Sequence, residues 1–174
     1  MTMPSPIYEP AEDSYLLQKQ VRIHGFGRVL DMGTGSGIQA LTAMENPNVK
    51  EFVAVDINPT AVERLQQEMR EKRLRKIHVQ RSDLFEHVEG CFHTIIFNPP
   101  YLPQDKGIED VSLYGGKKGY EVAQRFFASV SPYLFPGGKI LFLFSSLTNK
   151  KKIDEIIARH LFESKELGRQ KLAF

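Results

Sequence analysis

Several short runs of this chain are apolar on successive residues, so that both faces of an extended segment would be apolar. Phe52-Val53-Ala54-Val55 and Ile95-Ile96-Phe97 are the plainest. A strand with one wet face alternates apolar and polar residues, so unbroken runs belong to a parallel sheet covered on both sides. Strands are expected over residues 28–31, 51–56, 76–81, 94–98 and 139–144. The intervening stretches have helical spacing. Asn58 suits a helix N-cap with Pro59 at the first position, and Val62, Leu65 and Met69 then share a face. Val122, Phe126, Val130 and Leu134 recur every four residues, with Pro132 expected to end or bend that helix. Pro136-Gly137-Gly138 is expected to break the chain before the next strand. Thr148 or Asn149 can cap a helix whose buried stripe is Ile153, Ile156 and Ile157. Strand and helix in alternation give an α/β fold with right-handed crossovers, a mostly parallel twisted sheet with helices on both faces.

A length of 174 residues suits one domain, taken as 1–174, and 41% hydrophobic with 25% charged residues is ordinary for a packed core. No apolar run approaches the roughly 20 residues of a membrane helix, and no signal peptide is visible, so a cytoplasmic location is expected. The lone cysteine, Cys91, excludes an internal disulfide and a cysteine-based zinc site. Net charge is +2, too mild to imply nucleic-acid binding. Residues 64–81 nevertheless hold seven Lys/Arg against Glu68 and Glu71, which reads as a solvated helix end and strand edge or as a contact with RNA or an acidic partner. Residues 155–174 are unusual for such a sheet. One more strand would ordinarily close it, yet Leu161-Phe162 is followed by mostly polar residues before Leu172-Ala173-Phe174, so either the last strand is missing or the sheet ends early.

The first functional motif is Val29-Leu30-Asp31-Met32-Gly33-Thr34-Gly35-Ser36-Gly37, a strand running into glycines before a helix from Ile38. Its G-x-G-x-G spacing is neither the dinucleotide fingerprint, nor a P-loop, nor a nucleophile elbow. Asp56 closes the second strand, where a carboxylate can accept both hydroxyls of a ribose, and Asp83 follows the third, placed to accept from an exocyclic amine. Taken singly, each acid fits a cap or surface charge. Together with the loop, all at carboxyl ends of strands, they fit the ligand crevice of an open α/β sheet and favour a nucleoside cofactor.

The second motif is Asn98-Pro99-Pro100-Tyr101 at the end of the fourth strand. Asn98 offers an amide oxygen, Pro99 a carbonyl without a competing N–H, the prolines a fixed backbone and Tyr101 a flat apolar face. Such a loop grips a planar NH₂ group and orients its lone pair toward an electrophile, so catalysis comes from positioning, with no general base evident.

These motifs together resemble class I S-adenosylmethionine-dependent methyltransferases that modify a planar amine or amide. Tyr8-Glu9-Pro10-Ala11-Glu12-Asp13-Ser14-Tyr15-Leu16-Leu17 and Gly115-Gly116-Lys117-Lys118-Gly119-Tyr120-Glu121 resemble, more narrowly, segments of the HemK-like family and its short archaeal and eukaryotic branch. The resemblance implies a Rossmann-like fold, S-adenosyl-L-methionine as cofactor, and a release-factor Gly-Gly-Gln glutamine as target. It assigns Ser14, Asp31, Gly33 and Gly35 to the methionine end and loop, Asp56 to the ribose, and Asp83 with Leu84 to the adenine. Asn98, which also lies against the cofactor, and Pro99 would hold the target nitrogen, with Pro100 and Tyr101 completing the catalytic loop. It also implies a small zinc-binding activator subunit along the edge strand at residues 76–81, which Arg75, Lys76 and Arg81 could equally protect from pairing. Two alternatives remain from the residues alone: a nucleic-acid amino-methyltransferase acting on adenine N6 or guanine N2, and a non-catalytic nucleotide-binding subunit. A lysine target would first have to lose a proton.

Overall fold

The computed structural model describes residues 7–103, 115–146 and 148–171. In chain order the elements are α1 (Glu12–His24), β1 (Gly27–Met32), α2 (Ile38–Met44), β2 (Val49–Asp56), α3 (Pro59–Glu71), β3 (Ile77–Arg81), β4 (Phe92–Phe97), α4 (Glu121–Ser129), β5 (Leu134–Phe142) and α5 (Lys150–Arg159). The sheet order is β3-β2-β1-β4-β5, and every pair is parallel. The order reverses between β1 and β4, so the ends of those two strands flank the switch point where such sheets bind ligands.

The runs of successive apolar residues divide between two cores. Val29, Phe52, Ala54 and Ile96 pack with Leu17 and Val21 of α1, Ala40 and Ala43 of α2, and Leu65 and Met69 of α3. Their neighbours Leu30, Val53, Val55, Ile95 and Phe97 pack with Phe126 and Phe127 of α4 and Ile153, Ile156 and Ile157 of α5. The period-two alternation of a strand thus feeds both faces of one sheet.

The expected caps form. The Asn58 side chain accepts from Thr60 N at 3.0 Å with Pro59 at the helix start, and Asn149 accepts from Lys152 N at 3.2 Å. Helix α1 is absent from the sequence reading, and two expectations change. The four-residue repeat beginning at Val122 ends as helix at Ser129; Pro132 lies in a 3₁₀ turn and Leu134 begins a strand. Finally, Pro136-Gly137-Gly138 lies inside β5 rather than ahead of it. Phe92 pairs with Leu134 and Thr94 with Lys139, so the register shifts across this segment. An edge strand with a register shift is where a proline is tolerated in a sheet. Among the described residues no strand follows α5, and residues 163–171 carry neither helix nor strand; Leu172-Ala173-Phe174 lie outside the described residues.

Candidate active site

The carboxyl ends of β1, β2 and β4, with the start of α1, enclose a cavity of about 330 Å³. Its walls include the candidate site residues Ser14, Asp31, Gly33, Gly35, Asp56, Asp83, Leu84, Asn98, Pro99, Pro100 and Tyr101.

On the β1 side the chain turns through the glycine loop into α2. Gly37 is the N-cap of α2 with φ of 80°, and a Cβ there would strike the Leu65 side chain of α3. Only glycine gives both the backbone conformation and the close approach. Asp56 at the end of β2 ties this loop down: one carboxylate oxygen accepts from Gly35 N and the other from Asn58 N, each at 2.8 Å. Burial raises the Asp56 carboxyl above its ordinary range, opposed by the backbone N–H groups of Asn58, Gly35 and Ile57. Asp31 is more deeply buried. Burial pushes it up to about 7, the 2.7 Å bond from Thr34 Oγ1 opposes the rise, and the charge of Asp56 adds to it. Asp83 reaches the cavity wall while paired at 2.9 Å with Arg125 of α4.

On the β4 side, Asn98 follows the last residue of the strand and leads into the two prolines. The loop is braced from outside the strand. Thr148 Oγ1 donates to Tyr101 O at 2.8 Å, and Gly115 N donates to Leu102 O at 3.0 Å. Gly119, with φ of 82°, brings its Cα so near that a Cβ would lie 2.6 Å from Tyr101 O. The Gly115–Glu121 signature (residues 115–121) is therefore the support of the acceptor loop. Glu121 turns its carboxylate back to accept from Lys118 N and Tyr120 N.

Sequence reasoning missed the residue that joins the two sides. Asp13, buried in the first turn of α1, accepts from five donors. Oδ1 takes Ser14 N at 2.6 Å, Tyr8 OH at 2.8 Å and Ser14 Oγ at 3.3 Å. Oδ2 takes Asn98 Nδ2 at 3.1 Å and Tyr101 OH at 3.3 Å. An acid thus stands beside the acceptor loop, with its carboxylate already heavily hydrogen-bonded. Burial and the Asp13 charge push the Tyr101 hydroxyl up to about 12 and raise Tyr8 as well, so both remain donors. With its nitrogen held by Asp13, Asn98 leaves Oδ1 buried without a hydrogen-bond partner. The sequence signals for Asp13 are its place beside Ser14 and inside the segment of residues 8–17 that resembles the family.

A glycine loop and an acid-ended second strand, facing an Asn-Pro-Pro-Tyr loop across the switch point, define the class as a Rossmann-like methyltransferase. The chain belongs to the methyltransferase small-domain family, whose model matches residues 11–172, and its recognisable relatives are of the HemK family. It is 42% identical over 151 residues to a Methanocaldococcus jannaschii protein provisionally named a protein N5-glutamine methyltransferase, covering 84% of this chain and 76% of that protein. It is 31% identical over 173 residues to human methyltransferase HEMK2, covering 89% and 77%. With the release factor glutamine methyltransferase of Deinococcus radiodurans the match is 33% over 123 residues, 66% of this chain and 44% of the bacterial protein. Among solved structures, a ribosomal protein L11 methylase from Lactobacillus delbrueckii subsp. bulgaricus superposes with a TM-score of 0.75 at 20% identity, over 95% of this chain and 77% of that one. That likeness concerns the fold. The cofactor of the family is S-adenosyl-L-methionine.

Proposed function

We propose that this chain methylates the side-chain amide nitrogen of a glutamine, in the Gly-Gly-Gln motif of a peptide-chain release factor, in the cytoplasm. The observation that carries the reading is the Asn98 amide, whose nitrogen is engaged and whose buried oxygen is left as an acceptor beside the rigid prolines. The names of the relatives support the same acceptor.

The cavity suits the cofactor in charge. Among the described residues, Asp31, Asp56 and Asp83 line its cofactor half against one cationic side chain, Arg125, which Asp83 already pairs. A sulfonium and an ammonium find compensation there. Ser14, Asp31, Gly33 and Gly35 would hold the methionine end, Asp56 the ribose hydroxyls, and Asp83 with Leu84 the adenine. When bound, the cofactor supplies a methyl group on cationic sulfur. Asn98 Oδ1 and the Pro99 carbonyl accept the two N–H bonds of the target amide, and Tyr101 packs against its plane. The nitrogen lone pair is thereby aimed at the methyl carbon. On methyl transfer the cofactor would keep the C–S electron pair, and the target nitrogen would pass one proton to solvent. Positioning of this kind is worth orders of magnitude in rate.

A nucleic-acid acceptor is disfavoured by where the basic residues fall. Arg70, Arg73 and Arg75 line a different cavity beside α3 and β3, away from the acceptor loop. That surface instead supports a partner. β3 is an outer strand, and although Val79 O already accepts from Gln66 Nε2 at 2.9 Å, its other outward backbone groups could add a strand from a small zinc-binding activator subunit. Labelled cofactor tests the reading, with a release factor, its Gly-Gly-Ala variant, and tRNA or DNA as acceptors, each with and without the activator. Label in the wild-type factor alone is expected; label in the nucleic acid, or undiminished label in the variant, would overturn it.

A further inference from the structure

We infer that Asp13 is the positioning residue that fixes which end of the Asn98 amide faces the target nitrogen, and so decides that the site accepts N–H bonds. The inference rests on the reading of Asn98 given above. An asparagine amide has a donor end and an acceptor end of nearly equal shape, and rotation of about 180° exchanges them. A loop meant to grip an NH₂ group works with the oxygen turned to it and fails with the nitrogen. Backbone rigidity from Pro99 and Pro100 fixes where the amide sits but not which way round it is.

Asp13 supplies the missing information. Its side chain already accepts from Ser14 N, Tyr8 OH, Ser14 Oγ and Tyr101 OH, so it presents itself to Asn98 as an acceptor. Asn98 therefore has to offer Nδ2, at 3.1 Å, and its oxygen is left over. The reversed amide would set two oxygens against each other in a buried place and leave the NH₂ without an acceptor, which is costly on both counts. The ring of donors also explains how an acid can sit here without a cation. Five hydrogen bonds hold the carboxylate, and Tyr101, itself part of the acceptor loop, is one of the donors. Asp13 thus couples α1 to the end of β4, and the helix that forms one wall of the cofactor cavity also sets the polarity of the acceptor site.

The test is a double-mutant cycle in the full chain, with labelled S-adenosyl-L-methionine and a release factor. Asp13→Asn offers an NH₂ group in place of a carboxylate oxygen and releases the Asn98 amide to turn. It is expected to slow single-turnover transfer about 100-fold, the scale for a misplaced reacting group, with cofactor affinity within about twofold of wild type. Adding it to Asn98→Ala should cost less than about twofold more, because the residue acts through Asn98. Additive losses would overturn the inference, as would a wild-type rate for Asp13→Asn alongside an inactive Asn98→Ala. A wild-type rate for Asn98→Ala would overturn the underlying reading and this inference with it. The side-chain ¹⁵NH₂ signals give a readout free of turnover. In the wild-type protein the Asn98 pair, identified by its loss in Asn98→Ala, should show one downfield, slowly exchanging proton. Shifts of a solvated asparagine would overturn the inference.

Discussion

Two buried carboxylates face the same cavity and are used in opposite ways. Asp31, at the end of β1, has one side-chain donor, Thr34, and the nearby charge of Asp56, and burial leaves it poised near neutrality at about 7. Asp13, at the start of α1, is surrounded by five donors. Burial with a single donor disfavours a charge until an opposite charge arrives, whereas burial among five donors makes the carboxylate a fixed structural acceptor. The cofactor half of the site is therefore built to gain a cation. The acceptor half is built before anything binds, and among the described residues its one buried side-chain polar atom without a partner is Asn98 Oδ1.

The largest effect should come from the acceptor half. Asn98→Ala removes both the link to Asp13 and the grip on the target nitrogen. Transfer should fall at least about 100-fold while cofactor affinity changes little, since the ribose and adenine contacts belong to other strands. Single-turnover rates with parallel calorimetry decide this. Asn98→Asp sharpens the comparison, because it places a second carboxyl against Asp13 where an N–H used to donate. Two such groups in contact share one proton rather than both ionise. The rate of Asn98→Asp should therefore rise as pH falls, the shared proton replacing the lost Nδ2–H. Tyr8, Tyr101, Asp31 and Asp56 are the other ionisable groups around the pair. Both tyrosines stay protonated here, and the contribution of the two acids is read from the wild-type profile. A profile parallel to wild type would remove Asp13 from the acceptor half.

On the cofactor side, Asp56→Ala removes ribose acceptors and also releases Gly35 N and Asn58 N. Affinity for S-adenosyl-L-methionine should drop by about 1.5–3 kcal/mol, the range for hydrogen bonds to a charged group. Unchanged affinity by calorimetry would end the ribose assignment. The maximal rate at saturating cofactor should suffer far less than in Asn98→Ala, and a loss as large would mean that the two halves are not separable.

The legible parts of the sequence are those where one physical demand acts alone. β2 and β4 are covered on both faces, so their apolar runs announce them. The glycine loop is forced by Gly37 against Leu65, and Asn58-Pro59 has no better use than a helix start. β5 was misplaced because an outer strand tolerates Pro136-Gly137-Gly138 as an irregularity where an inner strand would not. Helix α1 was hidden for a different reason. Its buried face is Asp13, Ser14, Leu17 and Val21, half polar, so the hydrophobic period that reveals α3 and α5 is absent from its first turn. The polar half of that face is the part that serves the site. The same fact concealed Asp13: an acid in a first helical turn has an ordinary explanation in the helix dipole, and its partners lie 5, 85 and 88 residues away.

The smallest effect concerns Asp31 and pH. Its carboxyl, about 3.8 when unfolded, stands near 7 in the folded chain, so between those values the folded state holds a proton that the unfolded state has lost. Its contribution to stability is therefore present below the unfolded value and is lost as pH rises toward 7. Without cofactor, the melting temperature of the wild-type protein relative to Asp31→Asn should decline from pH 5 to pH 8. A cationic ligand reverses the preference, since it favours the ionised carboxyl. Binding near pH 6.5 should release a fraction of a proton, and affinity should rise with pH at a rate below about tenfold per unit, the limit for a single linked proton. Calorimetry in two buffers of different ionisation enthalpy measures that release directly. Proton release in Asp13→Asn should match wild type, because Asp13 belongs to the acceptor half. Release that disappears in Asp13→Asn but persists in Asp31→Asn would exchange the roles of the two carboxylates.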